Sequence, residues 1–417
     1  MKAVILAAGQ SSRLYPFTKD KHKSMIRIMG KPLLEYTIEG LKRNGIKDLV
    51  IVVGKDSSVE KYFSNGKKYG VSIVYVMQPE PLGMGNALSL ARGHIGGDFL
   101  LLHSYHFDAA DFIKDLIKVQ SNTSKISLLA KKREDTFSQG VLLIDGDRVL
   151  DVVEKPAEGK EPSKLCIVGA YLISKDFLNE LQNTPVEQYQ FEIALSSFAK
   201  KNIVKFVEVK SDTISLKFPW DLIHVKNYLL KNIKRSVSKK AVVAKSAEII
   251  GEVIIKEGAT IMEGVRIKGP CYIGKNSIVG NNTLLRDGVC IEDNCTIGAF
   301  MEMKNTLVMK DSKTHSGFIG DSVIGENVRI GAQFSTGNVR LDRKTVSVVV
   351  KEEKIDSRIK SLGTMIGNNA RVGVKSSTMP GVIIGNNCVI GPSTVVLNNV
   401  PDGTKYYTKF AEIVNKI

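Results

Sequence analysis

The stretch VAKSAEIIGEVIIKEGATIMEGVRIKGPCYI, residues 243–273, has an aliphatic residue at every sixth position and decides the fold of the C-terminal half. Ten positions follow this spacing without a break: Val243, Ile249, Ile255, Ile261, Ile267, Ile273, Val279, Leu285, Ile291 and Ile297. A period of six matches neither an α-helix, with roughly 3.6 residues per turn, nor a simple alternating strand. It is typical of a parallel β-helix, in which each short strand buries one aliphatic side chain before the chain turns a corner.

The same spacing returns near the C-terminus, after an interruption. The later positions are Ile366, Val372, Ile384, Ile390 and Val396, with Thr378 as the one weak position. Residues 333–365 lose the register but keep strand-like pieces such as 346–351. Long loops of this kind are usually functional, so we predict a loop that leaves the coil here. The repeats resemble those of the hexapeptide-repeat family, which implies a left-handed coil and, most often, a trimeric acyltransferase.

Composition narrows the class of protein. The chain has 417 residues, enough for two domains or more, and no apolar run approaches the ~20 residues that a membrane-spanning helix needs. Its five cysteines lack Cys-x-x-Cys spacing and indicate neither a zinc site nor a disulfide framework. The net charge of +16 is dispersed and accompanies no nucleic-acid-binding motif, and it suits phosphorylated small molecules equally well. We therefore expect a cytoplasmic protein with no nucleic-acid or membrane partner.

The N-terminal part alternates between strand-like and helix-like stretches. Strands are predicted at residues 2–6, 49–53, 71–76 and 99–102, and helices at 32–44 and near 86–92. This alternation favours a mostly parallel sheet covered by helices on both faces. A helix over 218–234 then leads into the first hexad. We predict an α/β domain over residues 1–237 followed by a β-helix over residues 238–410.

The segment LAAGQSSRLYPFT, residues 6–18, followed by Lys23, resembles the signature of sugar-1-phosphate nucleotidylyltransferases. Further matches follow in the family's order: Gln78, PLGMGNA at 81–87, EKP at 154–156, GAY at 169–171 and PWDL at 219–222. Nucleotidyl transfer needs a glycine-rich turn that reaches the triphosphate and cations that neutralise its charge. The resemblance implies a Rossmann-like fold and a nucleotide site at these residues: Gly9, Arg13, Lys23, Gln78, Gly83, Glu154 and Lys155.

The chain departs from this signature at the metal-binding positions. The family has one Asp after the strand at 99–102 and another just before the PWDL helix, where this chain has Tyr105 and Ser215. Because Mg²⁺ is held through carboxylates and phosphates, we expect that the first site does not hold Mg²⁺ and has lost nucleotidyl transfer. Asp98 or Asp108 would be the alternative ligand. Three smaller replacements point the same way: Ser11, Met84 and Ile167.

Two stretches of the coil, GAFMEMK at 298–304 and SKTHSGFIGD at 312–321, carry a second resemblance. They resemble the acetyltransferase half of the bifunctional glucosamine-1-phosphate acetyltransferase/N-acetylglucosamine-1-phosphate uridyltransferase, whose archaeal members also share the stretches at 338–340 and 362–367. Acetyl transfer from acetyl-CoA to an amine needs a base, for which histidine is suited near neutral pH. The resemblance implies that His315 is this base.

The same resemblance assigns the surrounding residues. Arg286 and Lys304 would bind the sugar phosphate, and Asn338, Lys344 and Phe318 would contact acetyl-CoA or the acceptor. This site is altered too, because Phe318 stands where bacterial enzymes have Tyr. Two further replacements fall at substrate-contacting or donor-site positions: Arg329 and Gln333.

Three functions stay open. The first is an acetyltransferase acting on an amino-sugar 1-phosphate, built on an inactive nucleotidylyltransferase scaffold. The second is a non-catalytic regulatory subunit that partners a paralogous active subunit, which the lost carboxylates favour and the retained His315 does not explain. An active nucleotidylyltransferase with a relocated metal ligand ranks last. Because sites in the family lie between subunits, we expect a homotrimer or a dimer of trimers.

Overall fold

The computed structural model describes residues 1–19, 21–120, 124–134, 136, 139–210, 216–411 and 414. The chain forms two compact units. The first consists of Met1–Gln10, Asp20–Ile26 and Pro32–Thr213, and the second of Ser11–Lys19, Arg27–Lys31 and Ile214–Ile417. Helix Asp221–Lys231 belongs to the second unit. The domain limit predicted near residue 238 still rests on the sequence alone.

The first unit is built on a mixed nine-stranded sheet. Neighbours among the first four strands run parallel, as do the sixth and seventh, and the other neighbours run antiparallel. From edge to edge the strands are Ser72–Met77, Asp48–Val53, Lys2–Ala7, Phe99–His103, Leu165–Ile173, Ile126–Lys132, Val204–Glu208, Arg148–Glu154 and Gly140–Asp145. The predicted α/β Rossmann-like fold class is confirmed.

Helices cover both faces of this sheet. Successive residues of strand Lys2–Ala7 enter two different apolar clusters, with Val4 in one and Ile5 in the other. The α-helices of the unit are Leu33–Arg43, Ser58–Phe63, Gly83–Ala91, Ala109–Val119, Phe177–Asn183 and Gln190–Lys201. Short 3₁₀ turns of this unit lie at Lys23–Met25, Lys67–Tyr69 and Arg92–His94. The 3₁₀ turn Ser12–Leu14 belongs to the second unit, as does all but Pro32 of the short strand pair Arg27–Ile28 and Lys31–Pro32. Among the described residues no helix is long and apolar enough to span a bilayer.

In the second unit three parallel sheets form the left-handed β-helix. The first sheet consists of Ser236–Val237, Val253–Ile255, Cys271–Ile273, Cys290–Ile291, Leu307–Val308, Val323–Ile324, Met365–Ile366 and Ile383–Ile384. The second consists of Val242–Val243, Thr260–Ile261, Ile278–Val279, Thr296–Ile297, Lys313–Thr314, Arg329–Ile330, Arg371–Val372, Val389–Ile390 and Lys405–Tyr406. The third consists of Glu248–Ile250, Arg266–Lys268, Leu284–Arg286, Met301–Lys304, Gly317–Gly320, Phe334–Thr336, Ser377–Thr378 and Val395–Val396.

The hexad positions form the core of this coil. Val237, Ile255, Ile273 and Ile291 pair in register on the first sheet, so that one coil takes three hexads. Every hexad position from Ile255 to Ile297 is at most 1% exposed. The weak position, Thr378, is buried as well. The predicted hexad core is therefore confirmed.

The loop between the two runs begins later than the sequence predicted. Phe334–Thr336 still pairs within the third sheet, and the chain leaves the coil only after Asn338. We call residues 339–361 the excursion; its ends meet in a β-bridge between Val339 and Ser361, and it contains the hairpin Ser347–Val350 with Glu353–Asp356. The prediction of residue 333 as its start was wrong because the inward hexad position of this coil is a threonine, Thr336, which a search for aliphatic hexads misses; Thr336 is buried and pairs with Thr378.

Candidate functional site

The outer face of the third sheet carries several of the predicted site residues. Strand alternation buries Met303 and Ile319 and leaves Glu302, Lys304 and Phe318 half-buried on the outside. The register sets Arg286 beside Lys304 on adjoining coils. It also sets Phe318 beside Glu302. The structure therefore brings Arg286, Lys304 and Phe318 onto one surface.

Both cations on this face already have carboxylate partners. The Arg286 guanidinium donates from Nε to Glu302 Oε1 at 2.8 Å and from Nη1 to Asp287 Oδ2 at 2.6 Å. Hydrogen bonding to Glu302 raises the pKa of Arg286. Lys304 Nζ lies 3.2 Å from Asp321 Oδ2. A phosphate that binds here must compete with these carboxylates.

Asn338 and Lys344, which are close in sequence, are placed differently. Asn338 Nδ2 donates to Asp321 Oδ2 at 2.7 Å, so Asn338 shares one carboxylate with Lys304. Lys344 lies on the excursion with its side chain exposed, and its backbone N–H donates to Asp342 Oδ1 at 3.2 Å. Of the two, only Asn338 is joined to the face by a described contact.

His315 lies at the opposite end of strand Gly317–Gly320 from Asp321. Its side chain is exposed, and within the described part of the chain no group hydrogen bonds to its imidazole. Since a strand rises about 3.3 Å per residue, roughly 15–20 Å of chain separates His315 from Asp321. One chain therefore does not bring His315 into contact with Arg286 or Lys304.

Sequence analysis did not single out Phe300, which lies in the turn one coil before His315. Its ring is 68% exposed and its backbone φ is +57°, an unusual conformation for a bulky residue. The Gly317 N–H donates to the Phe300 carbonyl at 3.4 Å. The hexad register contains the signal that could have found it, because position 300 is the turn position that Gly288 and Asn294 occupy in the two preceding hexads.

In the first unit, Gln78 organises the turn that carries Gly83. Its Nε2 donates to the Gly83 carbonyl at 3.0 Å and to Asn86 Oδ1 at 2.9 Å. Gly83 has a φ of +93°, and a Cβ there would collide with the Gln188 carbonyl, so only glycine fits. A Cβ at Gly9, in contrast, would meet open space.

Glu154 and Lys155 lie near two polar residues, Glu192 of helix Gln190–Lys201 and Tyr189, which directly precedes that helix. Lys155 Nζ donates to the Tyr189 hydroxyl at 2.7 Å. Burial raises the pKa of Glu192 to about 7, with the charge of Glu154 acting in the same direction. These residues share the first unit with Gly9, Lys23, Gln78 and Gly83, whereas Arg13 belongs to the second.

The position at which the family holds its metal is filled by stacked rings. The His103 and Tyr105 rings lie 5.4 Å apart and are nearly parallel, at 4°, and Tyr105 also stacks with His106 at 5.5 Å. Lys23 Nζ lies 3.8 Å from the centroid of the Tyr105 ring. Burial lowers the pKa of His103 to about 3. Uncharged rings and an ammonium group are a poor environment for a divalent cation.

Both alternative carboxylates contact other groups of the chain. Asp98 precedes strand Phe99–His103, so the length of the strand separates it from Tyr105, and its Oδ1 accepts from Lys175 N at 3.2 Å. Asp108 Oδ1 lies 3.3 Å from His106 Nδ1. Ser215 lies outside the described residues. Within the described part, no group of three His, Cys, Asp or Glu side chains is arranged to hold a metal ion.

Comparison with known proteins gives matches to three family models along the chain. A nucleotidyl transferase model matches residues 2–211, a GMPPB C-terminal domain model matches residues 267–360, and a model of the bacterial transferase hexapeptide (six repeats) matches residues 363–398. The solved structure of UDP-glucose pyrophosphorylase complexed with UDP-glucose is also similar, at 24% identity and a TM-score of 0.49 over 55% of this chain and 98% of that one.

Two full-length relatives extend these matches. The bifunctional protein GlmU of Methanococcus vannielii is 31% identical over all of both chains. The bifunctional sugar-1-phosphate nucleotidylyltransferase/acetyltransferase of Sulfurisphaera tokodaii is 34% identical over 97% of this chain and 99% of that one. The resemblance drawn from the sequence is confirmed, and the chain belongs to the family of nucleotidyl transferases that carry a C-terminal hexapeptide-repeat domain.

Proposed function

We propose that this protein transfers an acetyl group from acetyl-CoA to the amine of an amino-sugar 1-phosphate. The observation that carries the proposal is the third sheet, which presents Arg286, Lys304 and Phe318 on its outer face and leaves the His315 imidazole exposed beside it. The Sulfurisphaera tokodaii relative, named as a sugar-1-phosphate nucleotidylyltransferase and acetyltransferase, supports the same chemistry.

The proposed reaction is a nucleophilic substitution at the thioester. The unprotonated nitrogen of His315 takes a proton from the acceptor's ammonium group, and the amine nitrogen bonds to the acetyl carbon. The carbon–sulfur bond breaks, and a second proton of the attacking nitrogen passes to the coenzyme A thiolate, which leaves as the thiol. Arg286 and Lys304 bind the sugar phosphate, with Arg286 exchanging Glu302 or Asp287 for phosphate oxygens.

Because the length of strand Gly317–Gly320 separates His315 from Lys304, we propose that the working site combines residues of two chains. In this arrangement one chain supplies the base and its neighbour supplies the phosphate ligands. The expected homotrimer, or dimer of trimers, is the assembly that provides such pairs.

We also propose that the first unit has lost nucleotidyl transfer. Lys23 covers the ring of Tyr105, and Asp108 is engaged by His106, so the chain presents an ammonium group and rings where Mg²⁺ needs carboxylates. A magnesium ion would serve this chemistry by neutralising the triphosphate. The residues around Tyr105 do not fit it.

The proposal is tested with purified protein, acetyl-CoA and a panel of amino-sugar 1-phosphates, with release of free thiol as the measurement. We expect thiol release with at least one acceptor, above the rate with acetyl-CoA alone. The matching sugar 1-phosphates without an amine are the controls, since they have no nucleophile to acetylate. Absence of both thiol release and coenzyme A binding would overturn the proposal.

The second candidate is a regulatory subunit without catalytic activity. The carboxylates that neutralise Arg286 and Lys304 favour it, because they leave less positive potential for a phosphate. Under this hypothesis the protein co-purifies with a paralogous nucleotidylyltransferase and changes its rate. The thiol assay separates the two candidates.

A further inference from the structure

Asp321 is a buried carboxylate at the end of strand Gly317–Gly320, and its own side chain is not among the predicted ligands. It is 2% exposed, with a backbone φ of +49°. Its Oδ1 accepts from Asn305 Nδ2 at 2.8 Å. Its Oδ2 accepts from Asn338 Nδ2 at 2.7 Å and from Lys304 Nζ at 3.2 Å. Two of the proposed ligands are therefore held by one oxygen atom.

The backbone of Asp321 connects the same elements. Its N–H donates to the Lys304 carbonyl at 2.8 Å, and its carbonyl accepts from Gly363 N at 2.9 Å. Leu362 N donates to the Asn338 carbonyl at 2.8 Å. A Cβ at Gly363 would collide with the Gly320 carbonyl, so the returning chain approaches as closely as glycine allows. The excursion thus leaves and returns at Asp321.

A second buried charge lies behind Asp321. Lys226, on helix Asp221–Lys231, is 0% exposed, and burial lowers its pKa to about 8. Its Nζ donates to Asn305 Oδ1 at 3.0 Å, to Asn227 Oδ1 at 2.6 Å and to the Gly288 carbonyl. Asn305 therefore bridges a buried ammonium and a buried carboxylate. Since unpaired buried charges are costly, this bridge stabilises the position of the Asp321 side chain.

We propose that Asp321 is a positioning residue of the acetyl-transfer site, with Asn305 and Lys226 holding it in place. It fixes Lys304 relative to Asn338 and anchors both ends of the excursion, which carries Lys344. This inference rests on the proposed function of the same surface. Without the carboxylate, the Lys304 ammonium is free to leave the Asn338 amide, and the two ends of the excursion lose their common anchor.

The direct test is Asp321→Asn, which keeps the shape of the side chain and removes its charge. We expect KM for the sugar phosphate and for acetyl-CoA to rise by about tenfold, which is the lower end of the effect seen when a residue that orients a ligand-binding group is lost. The kcat should stay within about threefold of that of the unmodified protein. Deuterium exchange should become faster in residues 339–361. Asn305→Ala removes the hydrogen bond to Asp321 Oδ1 together with the bridge to Lys226. Because Lys304 and Asn338 keep their contacts to Asp321 Oδ2, we expect a smaller rise in KM in the same direction.

The matched control is Asp311→Asn, since Asp311 also has a positive φ, +63°, and accepts from the Asn294 side chain at 3.1 Å. It should leave both KM values and the exchange of the excursion unchanged. If Asp321 has a purely structural role, Asp321→Asn will lower the melting temperature and leave both KM values unchanged. That result would overturn the proposal.

The exchange measurement separates this inference from the proposed function. If the unmodified protein transfers no acetyl group, the proposed function fails, but the anchoring of the excursion can still be measured. Faster exchange of residues 339–361 in Asp321→Asn than in Asp311→Asn supports the anchoring. Equal exchange in the two variants overturns it.

Discussion

His315 and Phe318 lie three residues apart, and only His315 can accept a proton. His315→Ala should lower kcat for acetyl transfer by roughly 10²–10⁴-fold, the usual contribution of a general base, with little change in KM. Thiol release measures the effect. The matched control is His94→Ala, because His94 is an exposed histidine of the first unit. Unchanged turnover in His315→Ala would show that another group is the base.

Arg286 should contribute to binding rather than to turnover. Arg286→Ala removes a charge-assisted contact to the phosphate, and we expect KM for the sugar phosphate to rise by about tenfold at constant kcat. The gain in the unmodified protein is limited because Arg286 must first release Glu302. Arg266→Ala is the control, since Arg266 is an exposed arginine of the same sheet paired with Glu248. A fall in kcat with constant KM would contradict the assignment.

Glu292 gives the second unit a pH-dependent stability. Burial raises its pKa to about 7 from the usual 4.5, and its Oε2 accepts from Gly30 N at 2.9 Å. Between these pH values the folded state holds a proton that the unfolded state releases, so this contribution to stability is lost as pH rises from about 4.5 to 7. Glu292→Gln should flatten the change of melting temperature across this window. An unchanged profile would contradict the assignment.

At the scale of the element, the third sheet depends on its inward hexad residues. Ile267→Asp places an unpaired charge among buried aliphatic side chains and should destabilise the coil by several kcal/mol, about 3–5. Lys268→Asp, the next residue on the same strand, is exposed and should have little effect. Thermal unfolding followed by circular dichroism compares the two. Equal melting temperatures would mean that position 267 does not face the core.

Elements whose contacts repeat along the sequence could be predicted, and those that rely on distant partners could not. The hexads are visible because each buried aliphatic residue recurs at a fixed interval, and Ile267 packs against its equivalents in the next coils. The bridge from Lys226 through Asn305 to Asp321 joins residues that no local period relates. The carboxylate partners of Arg286 and Lys304 were missed because motifs identify ligands, not the charges that neutralise them.

At the scale of the whole molecule, the two units are expected to differ in activity. Release of pyrophosphate from a nucleoside triphosphate, with Mg²⁺ and a sugar 1-phosphate as acceptor, should be absent or far below the range usual for enzymes, about 1–10³ per second. Tyr105→Asp with Ser215→Asp restores the two carboxylates and tests whether their loss is the cause. A rate within the usual range for the unmodified protein would show that another group holds the metal.

The assembly that we propose rests on the separation of His315 and Lys304 on one chain. We expect a homotrimer or a dimer of trimers by multi-angle light scattering, since a site that needs both residues requires neighbouring chains. Mixing His315→Ala and Lys304→Ala chains after unfolding and refolding should restore part of the activity when the sugar phosphate is well below the KM of the Lys304→Ala variant. A stable monomer with full activity would contradict the shared site.

The geometry of the excursion bears on how such proteins diversify. Val339 and Ser361 already pair with each other, so the coil itself closes the loop whatever its length. Closure entropy grows only slowly with added residues, and insertions or deletions between these two points cost the β-helix little. The segment that carries Lys344 can therefore be replaced by one of different length or sequence between related proteins without disturbing the β-helix. Under the proposed function, such exchange would replace the substrate contact of Lys344 while the coils keep their sequence.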